Sequence, residues 1–515
     1  MPDVIVVGGG HNGLTAACYL ARAGNSVTVL EATEWIGGMT ATRALVPEAP
    51  GHLLSPCAID AVYWRASTVE RDLQLARYGL RTVDHDPAWA WLGPNGESLV
   101  LARDVDRTIA QIARFSAADA RTYREFAEVT ANMLALQDGY GAGRPTRPDR
   151  RTLLAIARGL GNGKVRRLLG AALTTSAADL IESTFVSEHV RGAFASMAAI
   201  LGSITVDSSG LGLLATAPLH RYGVCRPIGG MQAIPDALRR CLEAHGGSVR
   251  TAAQVTEILV SAGRVRGVRL ADGEELTART VVAAVPPQVT ARLLEGTDVT
   301  GLGALTHAPS NGAGIGCLVI AMALRGELDL GEYQRARTDS IDLRKPTLFY
   351  GTLDHVLAAE AQARSGRVVM NPPWTATILS ATDPSQAPRG QDSLYLYAPT
   401  PVRPEPGWSA VRSLAEKELV GAVGKAVSGV PEFEIGRCVE TPQDLESRLG
   451  AANGCIYHVD QVVTRLGPLR PARGWGKHTT DIPGLVLSGA GTHPGGGVSG
   501  IPGQLAARAA LRSMN

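Results

Sequence analysis

Apolar residues fall into two rhythms along this chain: short runs and alternations that suit strands, and spacings of three and four that suit helices. The β-branched run Val4–Val7 gives way to Leu14, Ala17, Leu20 and Ala21, which predicts a buried strand turning tightly into a helix; Val27–Leu30 predicts a second buried strand. Trp89 and Trp91 alternate, and the turn Gly93-Pro94-Asn95-Gly96 separates them from Ser98–Leu101, so a hairpin is expected. Helical spacing then runs over 105–138, with a new helix begun by the capping sequence Ser116-Ala117-Ala118-Asp119. Residues 139–149, rich in Gly, Pro and Arg, predict an exposed loop, and helices resume over 151–169, 174–182 and 188–201, with Ser187 as the last N-cap. Short strands return at 248–250, as a meander over 257–278 with turns at Ala262-Gly263 and Asp272-Gly273, and at 280–285 before Pro286-Pro287. Further strands are expected at 317–324, 368–371, 375–380 and 393–398, an amphipathic helix at 411–427, and a closing strand and helix at 485–488 and 504–511.

Between the first strand and helix lies Gly8-Gly9-Gly10-His11-Asn12-Gly13, a G-x-G-x-x-G turn. Gly8 permits the tight turn, Gly10 lets backbone approach a pyrophosphate, and Gly13 lets helix and strand pack closely. The helix N-terminus then presents unpaired N–H groups to negative charge. Glu31, at the end of the second strand and 18 residues after Gly13, stands where an acid accepts hydrogen bonds from a ribose hydroxyl. A second glycine turn, Gly37-Gly38-Met39, follows within a few residues; it suits the extended chain of FAD and is superfluous for NAD.

Two later glycine turns extend the pattern. Pro227-Ile228-Gly229-Gly230-Met231 brings backbone close to something flat or charged. Residues 489–500, Gly489-Ala490-Gly491-Thr492-His493-Pro494-Gly495-Gly496-Gly497-Val498-Ser499-Gly500, again join a strand to a helix N-terminus, whose dipole favours negative charge at the N1–C2=O edge of a flavin. The fold expected is α/β: a discontinuous Rossmann-like FAD-binding domain (1–85, 222–290 and 471–515), an inserted mixed-sheet substrate-binding domain (86–102, 206–221 and 291–470) and a helical cap (103–205).

Composition narrows the partners. Fifty Lys and Arg against 48 Asp and Glu leave a formal charge of +2, which argues against nucleic acid. Seven cysteines without C-x-x-C spacing read as buried thiols, with no metal site and no redox disulfide. Met1 leads almost directly into the first strand, so no signal or transit peptide is expected and the location expected is cytoplasmic. The uncharged stretch 192–206 is too short to span a bilayer; it reads as a buried helix, with the wall of an apolar tunnel or a peripheral membrane contact as the alternatives.

These motifs resemble the phytoene-desaturase-like superfamily of FAD-dependent oxidoreductases, which includes carotenoid desaturases, carotenoid isomerases and retinol saturase. The resemblance rests on Gly8 to Gly13 with Glu31, Gly37-Gly38, Pro227-x-Gly-Gly-Met231 and the 489–495 turn, and covers nearly the whole chain. Gly9-Gly10-His11-Asn12-Gly13-Leu14, Ala113-Arg114-Phe115-Ser116 and Thr441-Pro442-x-Asp444-Leu445-Glu446 bring it nearest the pyridine-nucleotide-disulphide-oxidoreductase-domain branch. The resemblance implies that Gly8, Gly10, His11, Asn12 and Gly13 cradle the pyrophosphate and Glu31 the ribose. It sets Gly38 and Met39 along the ribityl side, Val255 at the adenine, and Gly491, Val498 and Ser499 at the flavin. Met39 stands where many relatives and amine oxidases carry Arg, which removes a cationic contact.

The reaction expected is removal of two hydrogens from an apolar or conjugated small molecule, with flavin N5 taking a hydride and a weak base or solvent taking the proton. The candidate acid/base groups are His493, beside the expected flavin, and His220 and Tyr222 at the junction of cap and nucleotide domain. No cysteine follows Cys455, so the FAD is expected to be noncovalent. Isomerisation or saturation of a polyene, and a carrier function without turnover, are the competing readings; the electron acceptor is not specified by any motif.

Overall fold

The computed structural model describes residues 2–141, 143, 145–297 and 299–514. Its nucleotide-type unit is a five-stranded parallel sheet in the order Leu485–Leu487, Thr280–Ala283, Val4–Val7, Val27–Leu30, Ser248–Arg250. Every residue of the first strand is buried, as a parallel strand covered on both faces requires. Val4 pairs with both Val27 and Thr280, and Val281 with Leu485, so segments nearly 500 residues apart share one sheet. Helices His11–Arg22, Ala233–Ala244 and Ile501–Met514 cover one face, where Leu14, Ala17, Leu20, Leu238, Leu242, Ala506 and Ala510 form one core. The meander Val255–Ser261, Arg264–Leu270 and Glu275–Thr277 packs on the other face.

A second, mixed sheet has seven strands in the order Glu434–Glu440, Ile315–Leu324, Asp392–Pro401, Trp374–Ile378, Thr347–Tyr350, Trp89–Leu92, Ser98–Leu101. The expected hairpin forms its last two strands, with Trp91 opposite Leu99. Helices from Val105–Ala113 to Glu188–Ala198 lie over one end of this sheet, and Phe349, Trp89 and Trp91 share a core with Phe194, Met197 and Ile181. No helix among the described residues is long and apolar enough to cross a membrane.

Several expected elements differ. Helix Ala117–Gly141 runs past the loop expected to begin at 139, while positions 142 and 144 of that loop lie outside the described residues. Ser116 caps the helix through the Asp119 N–H at 3.0 Å, but Asp119 does not reciprocate. Its carboxylate instead accepts the N–H groups of Val186 and Ser187, both at 2.8 Å, and so serves the start of helix Glu188–Ala198, which the Ser187 side chain leaves uncapped. The helix expected over 151–169 is two, Arg150–Gly161 and Gly163–Thr174, broken at Asn162, whose side chain accepts from Lys164 and Val165. Residues 368–371 form no strand; Thr347–Tyr350 and Glu434–Glu440 take the sheet positions instead. Glu434–Glu440 escapes a hydrophobicity reading because it is an edge strand carrying Glu434, Arg437 and Glu440. Six of the seven free thiols are buried; Cys438, on that edge, is half-buried.

Candidate active site

A cavity of about 780 Å³ runs from the first glycine turn to the space between the seven-stranded sheet and the cap. At the nucleotide end, Gly8 holds φ +105°, and a Cβ there would stand 2.9 Å from the Ala284 carbonyl oxygen. A Cβ on Gly13 would strike the Gly8 carbonyl oxygen, which is why this helix packs so closely on its strand. Gly10 is different: its φ is −69°, ordinary for any residue, and no protein atom lies within 4 Å of where its Cβ would be. That space belongs to the cavity.

Glu31 reaches back to the turn. Its Oε2 accepts the Gly9 N–H at 2.8 Å, and its Oε1 accepts the Thr33 N–H and hydroxyl, each at 2.9 Å. Gly37 bridges to Gly10, bringing the second glycine turn alongside the first. Ala253, Gln254 and Val255 line the adjoining wall, and Gly489, Ala490, Gly497 and Val498 bring in the C-terminal turn. Burial holds His11 near 4, against a backbone hydrogen bond involving Gly497, so its imidazole is neutral. His11 Nε2 and Asn12 Oδ1 are buried at the first helical turn without a protein partner.

The other end of the cavity is built by strand alternation. Trp89, Thr347, Phe349, Thr375, Tyr395 and Tyr397 all line it, and the registers Trp89 to Thr347, Phe349 to Thr375 and Thr375 to Tyr397 set them on one sheet face. Opposite, Phe194, Met197, Ala198 and Leu201 recur at three- and four-residue spacing along the cap helix and its extension. The stretch 192–206 thus supplies cavity wall. Tyr63 and Tyr457 close the chamber toward the glycine turns; burial raises the pKa of both phenols, and of Tyr395 and Tyr397, so all four stay protonated. Cys57, pushed up to about 12 by burial, stays a thiol.

A buried charged pair borders the chamber. Arg226, fully buried, donates to Asp60 at 2.6 Å and to Thr347 and Thr382 at 2.9 Å each, and Thr347 donates to the other Asp60 oxygen at 3.0 Å. Burial opposes ionisation of Asp60, but Arg226 outweighs it and holds the carboxyl below its ordinary range. The neighbouring Gly229 N–H donates to the Asp383 carboxylate at 2.7 Å and Met231 N–H to the Thr42 hydroxyl at 2.9 Å. The charged group that the Pro-x-Gly-Gly backbone approaches is therefore Asp383.

Residues 3–69 match the model of the FAD dependent oxidoreductase family, and residues 166–370 that of the flavin containing amine oxidoreductases. The chain is 28 % identical to pyridine nucleotide-disulfide oxidoreductase domain-containing protein 2 of Rattus norvegicus, over 99 % of this chain and 94 % of that protein. It is 25 % identical to the neurosporene-forming phytoene desaturase of Cereibacter sphaeroides, over 98 % of this chain and 94 % of the relative. The chain is an FAD-dependent oxidoreductase. An oxidoreductase structure from Methanosarcina mazei shares the flavoenzyme's fold, with TM-score 0.63, 15 % identity and 99 % of both chains covered.

The residues present fit FAD. Backbone N–H groups and the unpartnered His11 and Asn12 atoms would offer polar contacts to a pyrophosphate, and the open face of Gly10 would leave room for it. Of the residues expected to hold the cofactor, Gly8, Gly10, His11, Asn12, Gly13, Glu31, Gly38, Met39, Val255 and Val498 line the one cavity. Gly491 and Ser499 do not: Gly491 packs on Pro287, and the Ser499 hydroxyl accepts the Ile501 N–H at 3.2 Å at the head of the last helix. Their neighbours Ala490 and Gly497 take the wall positions.

The three acid/base candidates stand elsewhere. His220 Nε2 lies 2.6 Å from the Tyr123 hydroxyl and its Nδ1 3.0 Å from the Arg103 carbonyl oxygen, so both ring nitrogens are engaged inside the cap. Tyr222 is half-buried against Arg221. His493 is buried, but it is not among the lining residues. Among the described residues no group of His, Cys, Asp and Glu is set to hold a metal.

Proposed function

We propose that this flavoenzyme is a dehydrogenase or desaturase that removes two hydrogens from an apolar or conjugated small molecule. The observation that carries the reading is the continuity of the cavity: the glycine turns open directly into a chamber walled by Trp89, Phe194, Met197, Phe349, Tyr395 and Tyr397. The relatives named phytoene desaturase, similar along almost their whole length, support a substrate of this class. When bound, FAD supplies the hydride acceptor at its N5.

The chain's own contribution is placement and dryness. Aromatic and aliphatic walls on both sides exclude water and hold an apolar chain edge-on to the glycine turns. The protonated tyrosines offer hydroxyl donors without adding charge. Histidines 11 and 458, held by burial near 4 and near 3, are neutral near pH 7 and add no positive charge beside the cavity.

Anaerobic addition of carotenoids, fatty acyl chains, amines and secondary alcohols to the holoprotein tests the reading. Bleaching of flavin absorbance by an apolar donor is expected, and Met197→Trp, which narrows the chamber, should abolish it with FAD content unchanged. Bleaching by amines or alcohols alone would overturn it.

A further inference from the structure

The helix Arg150–Gly161 in the cap is inside out. Its buried side chain is Thr152, whereas Leu153, Leu154 and Leu160 are 51 %, 57 % and 43 % exposed. Leu153, Ala157 and Leu160 recur at spacings of four and three, so they form one apolar stripe facing solvent, with Leu154 beside it. A helix that packs only on its own core turns such a stripe inward. The charges around it are equally one-sided. Between residues 145 and 170 there are seven basic side chains and one acidic one, Asp149, although the whole chain carries only +2. Arg147, Arg150, Arg151, Arg158, Lys164, Arg166 and Arg167 are all exposed.

We propose that the face formed by Arg150–Gly161 and the following helix Gly163–Thr174 docks on an anionic lipid surface, its leucines entering the interface and its arginines meeting the headgroups. Exposed leucines bordered by arginine are what an interfacial helix requires, and a positive segment in a nearly neutral protein complements a negative membrane. The stretch 192–206, the apolar segment of the sequence, is committed to the cavity wall and is not this surface. The two lie one layer apart. Helix Gly163–Thr174 packs on the segment Gly210–Ala215 so tightly that a Cβ on Gly210 would stand 2.8 Å from Ala172 Cα, and Gly212 and Leu213 of that segment line the chamber. A docked enzyme would hold its chamber beside the bilayer from which an apolar substrate comes.

Flotation of the holoprotein with phosphatidylcholine vesicles, with and without phosphatidylserine, tests this. The wild type should float with the phosphatidylserine vesicles and detach as salt is raised. Arg151→Glu with Arg158→Glu should weaken binding more than tenfold, since each basic residue near the surface is worth about fivefold. Leu153→Ser with Leu154→Ser and Leu160→Ser should release the protein as well. These positions are exposed, so flavin absorbance and melting temperature should match the wild type, and should the leucine variant misfold, the arginine pair decides. Failure of the wild type to float with either vesicle, or flotation of the variants like wild type, overturns the proposal. So does a lipid-independent dimer that the leucine variant dissociates, because a second copy would then cover the face.

Discussion

Gly503 of the last helix lies directly against the Asn12 carbonyl oxygen of the first, with the Thr15 Cβ 2.9 Å from where its own Cβ would be. This contact joins the two ends of the chain and fixes the C-terminal glycine turn beside the N-terminal one, so that one cavity receives walls from both. A side chain at 503 must push the helices apart. Gly503→Val is expected to cost about 1–3 kcal/mol, as overpacking of a close contact does. A lowered melting temperature, with earlier release of flavin fluorescence on heating, would bear this out; an unchanged melt would show that the helices separate freely.

Gly10 and Gly13 share one motif but do opposite work, and substitution separates them. Gly13→Ala clashes with the Gly8 carbonyl oxygen, so it should destabilise the apoprotein. Gly10→Ala meets no protein atom and needs no unusual backbone, so the apoprotein should melt as wild type. Its methyl group would project into the cavity beside the pyrophosphate path, so FAD affinity should fall at least tenfold. Denaturant unfolding of the apoprotein, paired with fluorescence titration of FAD, reads the two effects independently. Equal affinity for the Gly10 variant would remove the pyrophosphate from this turn.

The nucleotide end was legible in the sequence because its chemistry is local. Val4–Val7, the glycines and Glu31 lie within 31 residues, and each acts through backbone shape that the residue type dictates. The chamber was not legible, because no local pattern joins Trp89 to Thr347 or Thr375 to Tyr397. Each residue alternates correctly in its own strand, but the pairing registers that make them neighbours link positions up to 258 residues apart. His220 shows the same limit in reverse. Its position between cap and nucleotide unit suggested chemistry, while Tyr123, 97 residues earlier, takes its Nε2. The one available signal was the spacing Phe194, Met197, Ala198, Leu201, a stripe that marks a wall without saying which side is empty.

Glu31 holds three hydrogen bonds before any ribose is counted, from Gly9 N–H and from both donors of Thr33. Glu31→Gln replaces one accepting oxygen by a donor, so one of these N–H groups faces another donor. Loss of a hydrogen bond to a charged group costs about 1.5–3 kcal/mol. FAD should therefore bind roughly 10- to 150-fold more weakly, and the apoprotein should also lose stability because the turn is no longer tied. Isothermal titration and apoprotein melting measure both. A variant with weakened FAD binding and an unchanged apoprotein would mean that Glu31 acts on the ribose alone.

His478 links acidity to folding. It is buried, its Nδ1 donates to the Leu487 carbonyl oxygen at 2.8 Å, and burial depresses its pKa to about 4 in spite of that bond. His85, buried next to the Arg226 guanidinium, is held near 3 by burial first and by that charge second. Each imidazole is neutral in the folded chain and protonates near 6.5 when unfolded. Between pH 6.5 and the folded value the unfolded chain binds the extra proton, so stability is complete above 6.5 and drains away as pH falls. Each histidine contributes a slope of about 1.4 kcal/mol per pH unit across that window. His478→Asn, whose amide can still donate to Leu487, should be less stable at pH 7 yet lose less between pH 7 and 5 than the wild type. Urea unfolding at the two pH values gives the slopes, and equal slopes would show that His478 is already protonated in the folded protein.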